Sequence, residues 1–591
     1  MNFLNNTKRN ATKIYPLAIA IFVLGAIVPF GGNNYWTLIA TRIAIYWILI
    51  SGLNLMIGYA GQLAIGYVAV LTLGAYTASV LAAGTILPAL PAAIAFVGAA
   101  IVGAIAGVII GLPALRLRTF YFAMTTLGFA TIIDQIALAW QSVTGGGVGI
   151  SGPSLPSPFS GTTNFFYVCL VIAAICTWIT ANIGTGRFGR ALIAIRDAEV
   201  AAEACGIKKT NLLLIVFVLA GALAGLSGGL FASLQSYITP DAFTLNLSVL
   251  FFISVLIGGR GSILGPLIGT IILTILPEIA APLAAWAQFL YAALLLIIVL
   301  LFPSGIAGLF ERLNHKSIDL QRTIRAQTEN LGTFEASENF ENILSLKDVD
   351  LAFGSVKALS GINLNFVSGE VHGLIGPNGS GKTTTLNVIS GYYQPQAGAL
   401  DLNGKSFIRA PAVERSSMGI ARTFQTPKII GDLSVIENVM IGSTALASTN
   451  IMDIMLSLPS AKKEENKTYE LAFNALTVVG LDRLAHVKAD RLKHPEQRFL
   501  EIARALVSRP KFLLLDEPAA GLSPGEISSL INLIKALRTN GIGVLIVEHH
   551  ADLIFEVSDR ITVLNFGKVL TSGTPKDVRS HEEVLNVYLG Q

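Results

Sequence analysis

The chain has 591 residues, 53% of them hydrophobic and 13% charged, with a formal net charge of +4. Residues 1–304 hold only 18 of the 78 charged side chains, too few to cover a water-soluble domain, whereas lipid requires none. A membrane-embedded body followed by a soluble domain is expected, and the small, dispersed net charge excludes a nucleic-acid partner.

Lys8, Arg9 and Lys13 precede the apolar run 15–30, which reads as an uncleaved first span because no small-residue cleavage site stands out. A helix needs about 20 apolar residues to cross a bilayer. Ten segments qualify: roughly 14–32, 37–58, 67–84, 89–112, 119–140, 164–183, 210–236, 246–258, 262–277 and 283–302, of which the eighth and ninth are short. An all-α polytopic domain of 8–10 transmembrane helices is expected. Lys and Arg accumulate in cytoplasmic loops. With both termini inside, the inner loops carry Arg116 and Arg118, then Arg187, Arg190, Arg196, Lys208 and Lys209, then Arg260, then Arg312, and the outer loops carry none.

Arg42 and Asp134 fall inside spans at similar depth, so a buried ion pair between them is one expectation and separate snorkelling to the headgroups the other. The segment 144–153 is too Gly-rich for a helix and reads as a loop or an outer element facing a partner. Cys169, Cys176 and Cys205 lack the spacing of metal ligands or a disulfide framework. The longest inner loop, 184–209, carries helix formers up to Gly206 and predicts a short amphipathic helix, either a plain surface helix or a lever resting on the soluble domain.

Residues 311–342 are rich in charge and amides and read as a tether. From 343 onward apolar strands alternate with turns and helices, the pattern of an α/β domain. Residues 376–384 read Gly-Pro-Asn-Gly-Ser-Gly-Lys-Thr-Thr between an apolar stretch and a helix-like one, which is the context of a phosphate-binding P-loop. Gly376, Gly379 and Gly381 let the backbone amides face a β-phosphate, with Pro377, Asn378, Ser380 and Thr384 completing the nucleotide contacts. Lys382 supplies a cation, and the Thr383 hydroxyl is placed for Mg²⁺. Residues 512–517 form a buried strand ending in two acids: Asp516 would hold Mg²⁺ and Glu517 would polarise the attacking water.

These motifs resemble those of ATP-binding cassette proteins over the whole 343–591 region. The resemblance implies that Gln425 is the glutamine that senses the γ-phosphate, contacts the coupling helix and joins the metal shell. It further implies that His549 is the switch histidine, that Phe353 stacks on adenine, and that 521–524 is the D-loop. One element departs from the family: the usual Leu-Ser-Gly-Gly-Gln signature reads Leu492-Lys-His-Pro-Glu496. Lys493 removes a hydroxyl and Pro495 a backbone N–H, so an ATP site that borrows this signature should hydrolyse poorly. A second ATPase subunit with an intact signature is therefore expected.

The membrane half, through 51–66, 74–76, 189–206 and 256–266, resembles the branched-chain amino acid permease of the Liv type, and 419–425 and 517–522 resemble its companion ATPase. The resemblance implies a permease domain at 1–310 fused to an ATP-binding domain at 343–591 in the bacterial inner membrane, with ATP and Mg²⁺ as cofactors. Implied partners are a second permease subunit, the second ATPase, a periplasmic substrate-binding protein and membrane lipid. Branched-chain or other hydrophobic amino acids are the expected cargo. Urea, amides or aromatic acids are the alternative within this importer type, and a half-exporter or a membrane-tethered regulatory ATPase are the rival classes.

Overall fold

The computed structural model describes residues 19–279 apart from Leu87 and Arg118, scattered positions between 286 and 308, and residues 342–584. Lys8, Arg9, Lys13, Arg118, Arg312, most of the tenth expected span and the tether up to residue 341 lie outside the described residues. The chain divides into two compact units. One comprises Met1–Leu192, Thr210–Ile318 and Ile454–Ser457, and the other Ile193–Lys209, Asp319–Asp453 and Leu458–Gln591.

Nine of the ten expected spans appear as helices: α1 (Ile19–Gly31), α2 (Asn34–Asn54), α3 (Val68–Ala83), α4 (Ala92–Ala114), α5 (Thr119–Ala139), α6 (Thr162–Thr185), α9 (Lys209–Gln235), α10 (Leu245–Gly258) and α11 (Gly265–Ile279). Six are long and apolar enough to cross a membrane, and three are shorter. Their packing rests on small residues. A Cβ at Gly225 of α9 would stand 2.2 Å from the Ala99 carbonyl of α4, and one at Gly228 would stand 2.1 Å from that of Leu71 on α3. Backbone therefore meets backbone, as helices do where lipid supplies no hydrophobic drive.

Arg42 on α2 pairs with Glu278 on α11 at 3.6 Å, and the Tyr35 hydroxyl donates to the same carboxylate. This corrects the expected Arg42–Asp134 pair. Similar depth does not make neighbours: α2 packs chiefly against α6 and α11, whereas α5, which carries Asp134, packs against α3 and α4. The Gly-rich 144–153 segment contains a short strand, β1 (Ile150–Ser151), antiparallel to β2 (Tyr237–Ile238). At Gly149, φ is +92° and a Cβ would meet the Ile238 carbonyl at 2.3 Å, so this crossing needs glycine.

The inner loop forms two helices rather than one, α7 (Arg187–Asp197) and α8 (Glu199–Ala204). The break falls at Ala198, whose φ of −148° is outside the helical range. Gly206 at φ +81° then turns the chain toward α9.

The second unit carries two sheets. An antiparallel sheet runs β4-β3-β6-β7 (Val356–Val367, Ile343–Phe353, Ala397–Leu402, Lys405–Ser406). A six-stranded sheet runs β12-β11-β5-β10-β9-β8 (Lys568–Gly573, Arg560–Asn565, Val371–Ile375, Gly543–Val547, Phe512–Asp516, Ile420–Arg422). All its pairings are parallel except β11 with β12. The wholly buried runs of β5, β9 and β10 reflect coverage on both faces.

Candidate nucleotide site

Ligand sites of open parallel sheets gather at the carboxyl ends of the strands. Here the loop after β5 begins the P-loop, β9 ends in Asp516, Glu517 follows it, His549 lies two residues beyond β10, and Gln425 three beyond β8. The sheet order β5-β10-β9-β8 makes these strands neighbours, so residues far apart in sequence meet at one edge.

The P-loop backbone is left-handed at Gly379 (φ +81°) and Gly381 (φ +104°), and a Cβ at Gly376 would sit 2.1 Å from the Leu564 carbonyl. The loop leads into α12 (Lys382–Ser390), whose N-terminal amides favour an anion. The Lys382 ammonium donates to the carbonyls of Gly376 at 2.8 Å and Pro377 at 2.9 Å, so it rests folded over the loop. Burial lowers its pKa, opposed by Glu517 and Asp516. Asn378 and Thr383 are exposed, Pro377 and Thr384 half-buried, and Ser380 is buried with a hydroxyl that has no partner.

Glu517, Gln425 and His549 come together. Gln425 Nε2 donates to Glu517 Oε2 at 3.0 Å, and His549 Nε2 lies 3.0 Å from Oε1. Glu517 adopts φ +49°. Asp516 is 1% exposed, its Oδ2 accepts from Arg422 Nη2 at 2.9 Å, and its Oδ1 is buried without a partner. Burial raises its pKa, and Arg422 holds it down. A buried carboxylate oxygen with nothing to bind fits a divalent cation, and the Thr383 hydroxyl and Gln425 Oε1 are the oxygen donors that would join it in a set of the kind Mg²⁺ takes. Phe353 is 48% exposed, and its ring meets Tyr393 edge-on at 5.0 Å between centroids.

Sequence reasoning missed Tyr393 and the support of the 424–428 loop. Glu501, buried on α13 (His494–Leu506), accepts from the amides of Phe424 at 3.2 Å and Lys428 at 2.8 Å. Arg498 and Arg504 on the same helix donate to the carbonyls of Phe424 and Lys428. Their i, i+3 spacing on a buried helical face was the available signal. At the start of α13, the Glu496 carboxylate accepts from the Lys493 amide at 2.7 Å, and Pro495 has no N–H to offer.

A P-loop on a parallel sheet, an acidic strand end and a glutamate held between glutamine and histidine define the ATP-binding cassette class of ATPase, here on one chain with a helical membrane domain. Residues 35–300 match the family described as branched-chain amino acid transport system / permease component, and residues 359–520 match the ABC transporter family. The chain is 36% identical over 250 residues to the high-affinity branched-chain amino acid transport ATP-binding protein BraF of Pseudomonas aeruginosa, covering 42% of this chain and 98% of that protein. LivG of Escherichia coli K12, a protein of the same description, gives the same figures. A solved cassette of an ABC transporter in its ADP conformation is 33% identical over 43% of this chain and 100% of its own, with a TM-score of 0.38. The chain belongs to the ABC transporters of the branched-chain amino acid type, with permease and nucleotide-binding ATPase domains in one polypeptide. It is a multi-pass membrane protein that couples ATP hydrolysis to transport.

Proposed function

We propose that this chain is the fused permease and ATPase subunit of an importer that carries branched-chain or other hydrophobic amino acids across the bacterial inner membrane. Its partners in this reading are a second permease subunit, a second cassette and a periplasmic binding protein. The substrate class rests on the descriptions of BraF and LivG and on the permease family. The observation that carries the coupling is the membership of Ile193–Lys209, an inner loop between α6 and α9, in the ATPase unit. Within that unit the Tyr392 hydroxyl donates to the Val200 carbonyl at 2.8 Å, and a Cβ at Gly206 would stand 2.7 Å from that of Ala445. The lever reading of this loop is thereby favoured over a plain surface helix.

In this mechanism the amides of 376–384 cradle the phosphates, and Lys382 swings from its carbonyls to the γ-phosphate. The Thr383 hydroxyl, Asp516 and Gln425 would hold Mg²⁺, which neutralises charge on the β- and γ-phosphates when bound. Glu517 orients a water and accepts its proton, and His549 and Gln425 fix the carboxylate for that step. Phe353, with Tyr393 beside it, offers a face for adenine.

ATP sites of this family form between two cassettes, each supplying its phosphate loop to one site and its signature to the other. In this chain the signature has no serine hydroxyl, has proline at 495, and uses Glu496 to satisfy the Lys493 amide. A homodimer would contain two such altered sites, so the partner cassette supplies an intact signature to the site built on Lys382, Asp516 and Glu517.

Vesicles carrying the complete complex and binding protein should accumulate radiolabelled leucine on addition of internal ATP, and Lys382→Ala should abolish it. Accumulation unaffected by Lys382→Ala would overturn the coupling. Uptake of urea or benzoate with no uptake of leucine would overturn the substrate class. Strong ATP turnover by the purified chain alone, lost on Glu517→Gln, would overturn the partner cassette.

A further inference from the structure

The buried arginine that grips Asp516 also faces the inner-loop segment. Arg422 is 8% exposed. Its Nη2 donates to Asp516 Oδ2 at 2.9 Å, its Nη1 donates to Asn387 Oδ1 at 2.6 Å and Ser390 Oγ at 2.8 Å, and its Nε is buried without a partner. Its guanidinium lies 5.3 Å from the Phe424 ring centroid and 5.8 Å from that of Tyr392, and the two rings meet edge-on at 6.1 Å. Phe424 adjoins Gln425, and the Tyr392 hydroxyl holds Val200. A small cavity separates Ala201, Ala204 and Cys205 from Arg422, Phe424 and Arg504. An unbroken series of contacts therefore runs from the acid at the end of β9 to α8, with a cavity about the size of one water beside it.

We propose that Arg422 and Tyr392 are positioning residues that link the occupancy of Asp516 to the placement of the 199–206 segment. When a cation binds the free Oδ1 of Asp516, it draws charge from the carboxylate and weakens the hold of Oδ2 on Arg422. Its guanidinium then shifts toward the two rings and the cavity, carrying Tyr392 and the Val200 carbonyl with it. Only an arginine can serve here, because its planar fork holds a carboxylate, two neutral oxygens and two ring faces at once, where lysine offers a single point of charge. The proposal deepens the importer reading, since it concerns how that reading's coupling segment is moved.

Cys205 reports on the segment without entering the relay, because its thiol lines the cavity and is buried. Maleimide labelling of Cys205, quantified by peptide mass spectrometry in the complete Glu517→Gln complex, should change at least threefold in rate between nucleotide-free and Mg-ATP-bound states. Tyr392→Phe removes only the hydroxyl and keeps the ring. In that variant the nucleotide response should fall below 1.5-fold, while ATP affinity stays within twofold and Mn²⁺ binding in the presence of ADP, read by EPR, is unchanged. Arg422→Lys should lose the labelling response and alter Mn²⁺ binding as well. A full response in Tyr392→Phe would overturn the relay. A thiol that never responds in the parent complex would instead overturn the reading of 199–206 as a coupling segment.

Discussion

Rebuilding the signature should activate the second ATP site. The perturbation is Lys493→Ser, His494→Gly, Pro495→Gly and Glu496→Gln in a Glu517→Gln background, where the site on this chain's own phosphate loop is silent and residual turnover reports on the partner's. The start of α13 at present lacks the hydroxyl at 493 and an amide at 495, and its 493 amide is engaged by Glu496 at 2.7 Å. Loss of one preorganised donor to developing charge costs about 10²–10³ in rate, or ~2.7–4 kcal/mol. Donors that act together are not additive, so the whole rebuilt segment should return a factor of about 10²–10³ rather than its square. Two glycines in the first turn cost about 1 kcal/mol each in helix stability, and a serine N-cap returns about 1, so α13 should persist. Single-turnover phosphate release from the assembled complex is the assay. Release that rises less than about threefold, from a complex still intact by size exclusion, would refute the reasoning, since threefold is far below the 10² expected for a restored donor.

Gly225→Leu should destabilise the membrane unit by at least the 1–3 kcal/mol typical of overpacking, because the Ala99 carbonyl stands only 2.2 Å from where the new Cβ would sit. Gly128→Ala, with nothing within 4 Å, should be neutral or slightly stabilising in the same detergent thermal-melt comparison. For Arg42→Gln and Glu278→Gln, the double variant should lose less than the sum of the singles by about 0.5–3 kcal/mol, and strict additivity would mean the pair does not interact. Burial pushes His372 down to about 3, while the unfolded chain titrates near 6.5. The unfolded state therefore binds the extra proton below about 6.5, and stability falls by ~1.4 kcal/mol per pH unit as acidity increases toward pH 3. His372→Asn should flatten the acid-side slope of the unfolding midpoint between pH 6 and 5, and an unaltered slope would show that His372 is not its source.

What could be read from the sequence follows the range of the forces involved. The P-loop at 376–384 is legible because its chemistry is local: the glycines, the lysine and the threonine act within nine consecutive residues. The nine described spans are legible because lipid imposes length and apolarity on each segment separately. The partner of Arg42 was not legible, since depth along a helix does not reveal which helices adjoin, and Glu278 is 236 residues away. The grip of Arg422 on Asp516 and the edge contact of Tyr393 with Phe353 likewise arise from folding of distant strands. The kink at Ala198 falls in a run of good helix formers, where no local residue signals a break, and the pairing of 150–151 with 237–238 involves strands of two residues, too short for any pattern.

At the residue after β9 the backbone turns into the left-handed region, where a side chain normally costs about 1–2 kcal/mol relative to glycine. Conformation alone would favour glycine or asparagine at 517, yet the chain carries glutamate there, held by its amide on the Val547 carbonyl at 2.8 Å and by two side-chain partners. A more relaxed fold is thus available by a single substitution, and it would be a transporter without an engine.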